Sequence, residues 1–463
     1  MSAAVEVVLG IDVGTTSSKA LALDMDGTVV GSASAATVWD VSDTGEVQID
    51  ADRLADVVID VLRRAALDAG DSTKVLGIGI TGMAEAGVVI DDQGKPVTPA
   101  IAWYDQRGAI ELAALPAEFL EEFSAVTGLA AKAECSFAKL LWLRANGLGE
   151  LTDKIWLNAL EYIAFRLTGV KATEPSLASR TGLLDQASVR PWSATLEMIG
   201  ADKRFIPNVL DAGRALGPVV GDAPESLLGA AVTVAGHDHL VGSVGAGAVG
   251  RDDLFDSCGT ADVILRTVPR TLTNADRSSL VARGLSAGRH VLPGSTAILG
   301  ATRSGLVLGR VMSMLGASTI EARQRLADTW SPGAGASSTV IVSEPSGWTN
   351  EVTIQLRDDV TPEEVWAAAT SYVLDQTAEL LEAVAEIAGR FEHAVAAGGW
   401  AQLDGVYRGK AHLMPGLTVS GVALPGARGA ALFAARAAGI TTGTLADQLP
   451  ATDLTNPTKE HVS

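Results

Sequence analysis

The sequence predicts an α/β protein of two domains. Three observations predict it. The chain has 463 residues, more than a single hydrophobic core serves, so two or three domains are expected. Apolar residues make up 47% and charged residues 19%, enough to give each domain a core. One local pattern also occurs once in each half. An apolar strand runs into a tip of glycine and hydroxyl residues and then a returning strand, at V-L-G-I-D-V-G-T-T-S-S-K (8–19) and at L-F-D-S-C-G-T-A-D-V-I-L-R-T (254–267). The boundary is expected near residue 245, in the glycine-rich S-V-G-A-G-A-V-G. That gives domains 1–244 and 245–450 and a loose tail, 451–463.

The first hairpin begins with the apolar run Val7 to Ile11 and ends its outgoing strand on Asp12. Gly14, Thr15, Thr16 and Ser17 form the tip, and A-L-A-L-D-M-D-G leads back to a turn at Asp26-Gly27. Close backbone N–H groups and small hydroxyls suit a phosphate, and a carboxylate oxygen suits Mg²⁺. An ordinary polar hairpin offers the same residues, so a lone G-T-T-S decides little. Acidic strand end, phosphate-type tip and returning strand together resemble the first phosphate hairpin of the actin-like ATPase (ribonuclease H-like) fold, which sugar kinases share. Next, Asp52 to Ala69 reads as an amphipathic helix with Leu54, Val57, Val58, Val61 and Leu62 on one face. V-L-G-I-G-I-T-G reads as a buried strand ending at Gly82, and V-V-I-D as a strand turning at Asp92 to Gly94. In P-A-I-A-W-Y-D-Q-R-G (99–108), alternation puts Trp103, Asp105 and Arg107 on one side of an extended segment. That is either a surface strand with a Trp anchor or a sugar-sized wall.

I-T-G-M-A-E-A-G-V-V-I-D and A-I-A-W-Y-D-Q-R, in this order behind the hairpin, are similar to the FGGY carbohydrate kinases. The resemblance covers about residues 5 to 440. It implies an ATP-dependent kinase in which Glu85 contacts substrate and Trp103 and Asp105 fall on sugar-site positions. Ala84 departs from the family's Met or Arg. C-S-F-A-K-L-L-W-L (135–143) matches the family's Lys-aliphatic-x-Trp-aliphatic segment at Lys139, Leu140, Trp142 and Leu143. With Glu134 turned inward, the pocket would hold three carboxylates: Glu85, Asp105 and Glu134. Carboxylates accept hydrogen bonds from hydroxyls and repel acids, which favours a neutral ketose or polyol. A solvated Glu134 reads equally well. T-E-P-S-L-A-S-R-T-G-L-L-D (173–185) reads mostly as helix packing.

A-V-T-V-A-G-H-D-H-L-V-G-S (231–243) reads as a strand, a sharp turn at Asp238 and a small-residue helix. Asp238 could serve only as an N-cap. Its chemical reading is a general base, kept ionised by the helix N-terminus. G-H-D matches the family's G-x-D, which implies that Asp238 is that base. His237 and His239 flank it without the further ligand cluster a metal site needs; one of them, His237, is assigned to the sugar pocket. Gly259-Thr260 resembles the second phosphate loop, and Cys258 beside it reads as a buried, inert thiol. Residues 294–316 read as a helix of small residues. T-P-E-E (361–364) starts a helix that continues to about Ala388, with Thr361 as cap and Glu364 closing a capping box. V-A-A-G-G-W-A-Q (395–402) resembles the adenosine loop, with Gly398 and Gly399 bare for the purine. G-A-R-G-A-A-L-F-A-A (426–435) matches the helix that closes the nucleotide site. The family's G-E-R-x-P segment is replaced by S-S-T-V-I-V-S-E-P-S-G-W-T-N-E-V-T-I (337–354).

Net charge is −20, with Lys and Arg scattered, which excludes nucleic acid and anionic membranes as partners. Two cysteines, Cys135 and Cys258, make no disulfide framework. The start M-S-A-A-V-E-V-V-L-G carries no signal peptide, and no apolar run is long enough to span a membrane, so a cytoplasmic protein is expected. The expectation is a kinase using ATP and Mg²⁺. Asp12 would position the metal, and Gly14, Thr15, Thr16, Ser17, Gly259 and Thr260 would donate to the phosphates. A pentulose such as xylulose or ribulose would be the acceptor, and a homodimer is compatible with this. The competing class is a nucleotide-regulated actin-like binding protein or a kinase relative without turnover; Asp12 and Asp238 argue against lost turnover.

Overall fold

A computed structural model describes residues 5–259, 261–331, 339–343 and 351–449. Two six-stranded sheets dominate it, and they repeat one plan. In the first, strand Glu6–Val13 pairs antiparallel with Ser17–Leu23 and parallel with Lys74–Gly82, which pairs parallel with Ala231–His237. In the second, Leu254–Cys258 pairs antiparallel with Asp262–Val268 and parallel with Ala394–Ala397. Every strand of the first sheet precedes residue 245 and every strand of the second follows it. A smaller sheet, which includes Gly87–Ile90, Ala100–Ile101 and Ile155–Asn158, carries loops toward the space between the halves.

The alternation of a strand explains how the first sheet is covered. Val7, Leu9 and Ile11 point to one face and pack with Leu54, Val58, Val61 and Leu62 of helix Ala51–Asp68. Each such side chain, fully buried, is worth at most ~1.5–3 kcal/mol. Asp50 caps that helix by accepting from the Arg53 amide at 2.8 Å. Val8, Gly10 and Asp12 share the opposite face. There the sheet meets helix Pro425–Ala437, which returns from the second half of the chain. The approach requires glycine: a Cβ on Gly10 would sit 1.9 Å from the Ala427 carbonyl oxygen, and one on Gly79 equally close to that of Ala430.

Most expected elements form with nearly the expected bounds, including helix Pro362–Ala388 with its capping box. Residues 294–316 do not form one helix. Thr296–Thr302 is a strand zipped antiparallel to Asp262–Val268, and helix Ser304–Met314 follows. The β-branched and aliphatic T-A-I-L-G-A-T pairs on both sides, with Asp262–Val268 and Ser286–Arg289, and that outweighs its small-residue composition. Of the replaced segment, Val340–Ser343 and Thr353–Leu356 form an antiparallel pair. Residues 344–350, Thr260 and the tail lie outside the described residues. No helix among the described residues is long and apolar enough to cross a membrane.

Candidate active site

A cavity of about 310 Å³ lies between the halves. Thr15, from the first hairpin tip, and Ala261, just past the second, both line it. Gly259, at the second tip itself, lines a separate, smaller pocket with Ser304, Trp400 and Lys410. Asp238 lies on its wall as the first residue of helix Asp238–Gly245, with His237 as the N-cap. Thr81 Oγ donates to the Gly236 carbonyl at 2.6 Å, and the His237 amide donates to Ser176 Oγ at 3.0 Å. These bonds fix the turn. The Asp238 side chain keeps 27% exposure to the cavity, and its Oδ1 accepts from the His239 amide at 2.7 Å. His237 Nε2 lies 3.2 Å from the same oxygen and His239 Nε2 3.9 Å.

The helix terminus, which favours an ionised Asp238, is opposed by the enclosure of the side chain. Enclosure pushes its pKa up, the His239 amide opposes this, and the charge of Glu85 adds to it, giving about 7. Asp12 is likewise pushed up to about 7, by burial first and by the Asp238 carboxylate second. A dipole of about half a charge and one N–H do not outweigh enclosure beside other carboxylates. Burial pushes His239 down to about 4 and His237 well below its ordinary value, so both imidazoles are neutral at pH 7.

Glu85, Trp103, Glu134 and His237 line the cavity. Trp103 Nε1 donates to Thr15 Oγ at 3.0 Å, tying this wall to the phosphate-type tip. Asp105 does not line the cavity. The strand ends at Ile101, and a turn closed by the Asp105 amide on the Ala102 carbonyl breaks the alternation. Asp105 is 3% exposed and accepts from the Val47 amide, the Arg107 amide and the Arg107 side chain. Burial raises its pKa, but Arg107 and the two amides more than offset this and hold it below the ordinary carboxylate range. Its work is to fasten the loop. Lys139, buried and lowered to about 8 chiefly by desolvation, donates to the carbonyls of Asp105 and Ala133, clamping the Trp103 and Glu134 segments together.

At the tips, two glycine amides expected to face phosphate are engaged in their own turns. Gly14 N–H donates to the Ser17 carbonyl, and Gly259 N–H to those of Ser257 and Ala261, each at 3.1 Å. Closing so tight a turn consumes its first amide. The amides of Thr15 and Thr16 have no acceptor among the described residues, while Ser17 begins the returning strand. Gly398, at φ +113°, backs onto the second hairpin: a Cβ there would lie 2.3 Å from the Cys258 carbonyl oxygen. A Cβ on Gly399 would meet nothing within 4 Å. Both thiols are buried, and burial raises Cys135 to about 12 and Cys258 well above its ordinary value.

Asp12 has the features of a cation ligand. Its Oδ1 is buried without a hydrogen-bond partner. Gly426, in the first turn of the returning helix, leaves so little room that a Cβ would sit 2.4 Å from Oδ2. Two adjacent carboxylates with raised pKa values, one holding an orphaned oxygen, fit a hard divalent cation.

Sequence reasoning missed Arg180. It ends helix Pro175–Arg180, lines the cavity, and donates through Nε to Glu85 Oε1 at 2.7 Å. The only local signal was a basic residue closing a hydroxyl-rich segment.

A model of the N-terminal domain of the FGGY family of carbohydrate kinases matches residues 7–245. A glycerol kinase of Thermococcus onnurineus is 29% identical over 304 residues, covering 64% of this chain and 61% of its own. A xylulose kinase of Lactococcus lactis is 26% identical over 302 residues, covering 64% and 58%. The chain thus spans less than two thirds of the length of these curated relatives. The crystal structure of a xylulose kinase from Rhodospirillum rubrum superposes with a TM-score of 0.81 at 24% identity, covering 96% of this chain and 92% of that one. That likeness establishes the fold class, an α/β actin-like ATPase fold.

Proposed function

Because the chain belongs to the FGGY family of carbohydrate kinases, we propose that it moves the γ-phosphoryl group of ATP to a primary hydroxyl of a neutral ketose or polyol, a pentulose such as xylulose or ribulose foremost. The observation that carries this is the meeting of Asp238, Thr15 of the first hairpin tip and Ala261 of the second hairpin at one cavity. Asp238 takes the hydroxyl proton as that oxygen bonds to phosphorus. The bond from phosphorus to the bridging oxygen breaks, and ADP leaves with the electron pair. A pKa near 7 suits a base that must be ionised yet still bind a proton in the transition state.

Phosphoryl transfer depends on position and charge more than on covalent chemistry, and this chain's residues divide that work. The Thr15 and Thr16 amides and hydroxyls donate to phosphate oxygens. Glu85 and Glu134 accept from sugar hydroxyls, and Trp103 gives the carbon face a flat apolar wall. Gly398 and Gly399 bound the purine side. Asp12 would hold Mg²⁺, which when bound supplies neutralising charge to the phosphates. Enclosure between the halves keeps water, a competing acceptor, away from the phosphoryl group.

The test is a screen of C4 to C6 ketoses and polyols with Mg-ATP, reading ADP formation. Sugar-stimulated ADP supports the kinase. ADP formation that no sugar stimulates, or that only a protein partner stimulates, favours a nucleotide-regulated binding protein.

A further inference from the structure

Arg180 is the enclosed cation among the residues lining the cavity; Lys132, the other Lys or Arg there, is exposed. Its side chain is 21% exposed and that of its partner Glu85 12%. Nη1 crosses to the second half and donates to Ser286 Oγ at 2.8 Å, on the first residue of strand Ser286–Arg289. No hydrogen bond to a described residue engages Nη2, and none engages Glu85 Oε2. Beside them Ala84 contributes only a methyl group to the wall. The pair therefore presents a donor next to an acceptor, fixed from both halves of the molecule.

We propose that Arg180 is a specificity-determining residue that selects a ketose: its guanidinium donates to the carbonyl oxygen while Glu85 accepts from the neighbouring hydroxyl. This deepens the proposed function and rests on the sugar site assigned there. A guanidinium has donors only, so it is satisfied by an oxygen that accepts. A carbonyl oxygen accepts and carries no proton. An alditol puts a hydroxyl in that place, whose proton must find a further acceptor inside the enclosed site or lose its hydrogen bond to water. A carboxylate would also accept from Arg180, but it would lie among Glu85, Glu134 and Asp238. Like charges at that range disfavour it.

The experiment pairs each C4 to C6 ketose with the alditols of the same carbon number. Binding is measured by calorimetry and turnover by ADP release, for the wild type, Arg180→Met, Arg180→Lys and the double variant Glu85→Gln/Arg180→Met. The wild type is expected to favour its best ketose over the matched alditol by about tenfold or more, the worth of one enclosed charged hydrogen bond. In Arg180→Met the preference collapses toward one, with the KM for ATP unchanged. The double variant, which leaves no unpaired carboxylate, gives the same collapse if the single variant fails to fold. Arg180→Lys, a point charge without the fork, restores only part of the preference. A wild type that binds alditols as tightly as ketoses overturns the inference. So do Arg180 variants in which both ligand classes weaken by one common factor. Ketose binding with an Arg180-dependent preference but no ADP would overturn phosphoryl transfer alone and leave the role of Arg180 standing.

Discussion

Asp238 must be ionised to take a proton, and its surroundings hold it at the edge of that state. With a pKa near 7, only about a tenth is ionised at pH 6. Turnover is therefore expected to fall on the acid side, from a midpoint that Mg²⁺ beside Asp12 moves below that of the metal-free protein. An acid limb that persists unchanged in Asp238→Asn would show that another group takes the proton. Asp238→Asn keeps the shape of the side chain and removes the base. It should lose at least ~10²-fold in kcat while still binding ATP, checked by steady-state rates and nucleotide titration. Glu85 lines the same cavity. Glu85→Gln should raise the KM for the sugar far more than that for ATP. Equal effects on the two would remove Glu85 from the sugar pocket. Each of these residues was legible because its motif is local. Arg180 was not, since it meets Glu85 across 95 positions of sequence, and nothing near residue 180 encodes that meeting. Asp105 was misread for a related reason: a turn at 102–105 broke an alternation that a short strand was expected to carry.

Two helices cover opposite faces of the first sheet, and they differ in what depends on them. Helix Ala51–Asp68 buries aliphatic side chains and contributes no residue to the cavity wall. Helix Pro425–Ala437 brings Gly426 against Asp12. Gly79→Val would force a branched side chain onto the Ala430 carbonyl, costing ~1–3 kcal/mol or more. Both melting temperature and kcat should fall, because the shifted helix no longer holds Asp12. Leu62→Ala, on the other face, should cost ~2–5 kcal/mol yet leave kcat intact well below the melting temperature. Thermal melts and rates on the same two preparations check this. If Gly79→Val keeps full kcat, the helix is only a cover. The sequence marked this helix by its small residues, but two of the strands it packs on, Glu6–Val13 and Lys74–Gly82, lie more than 300 positions away.

Across the whole molecule, enclosed carboxyls in both halves carry raised pKa values. Asp12, Asp238 and Glu161 lie near 7 and Glu174 near 8, with burial the first cause in each; Asp262 is raised as well, while Asp256, bonded to the same Lys410 ammonium, is lowered. A raised folded-state pKa contributes stability that is fully present below the unfolded value and is lost as pH rises through the folded value. His237, His239 and His290 have lowered values and act oppositely, but only below about 6.5. Between pH 6.5 and 8 the carboxyls decide. The melting temperature should fall across that window, and less steeply with Mg²⁺, which favours the ionised forms of Asp12 and Asp238. A melting temperature that rises through this window, or a slope that Mg²⁺ leaves unchanged, would contradict the prediction.

By itself the sequence determined the repeated strand–tip–strand plan, the capped helices and the candidate base at the end of its strand. Those features follow from alternation, turn chemistry and capping, which act over a few residues. Only the tertiary structure decided which tip amides remain free, where Asp105 points, which cation answers Glu85 and how tightly Asp238 holds its proton. Each of these depends on groups brought together from distant parts of the chain and on how much water is excluded between them, and neither is a property of any short stretch.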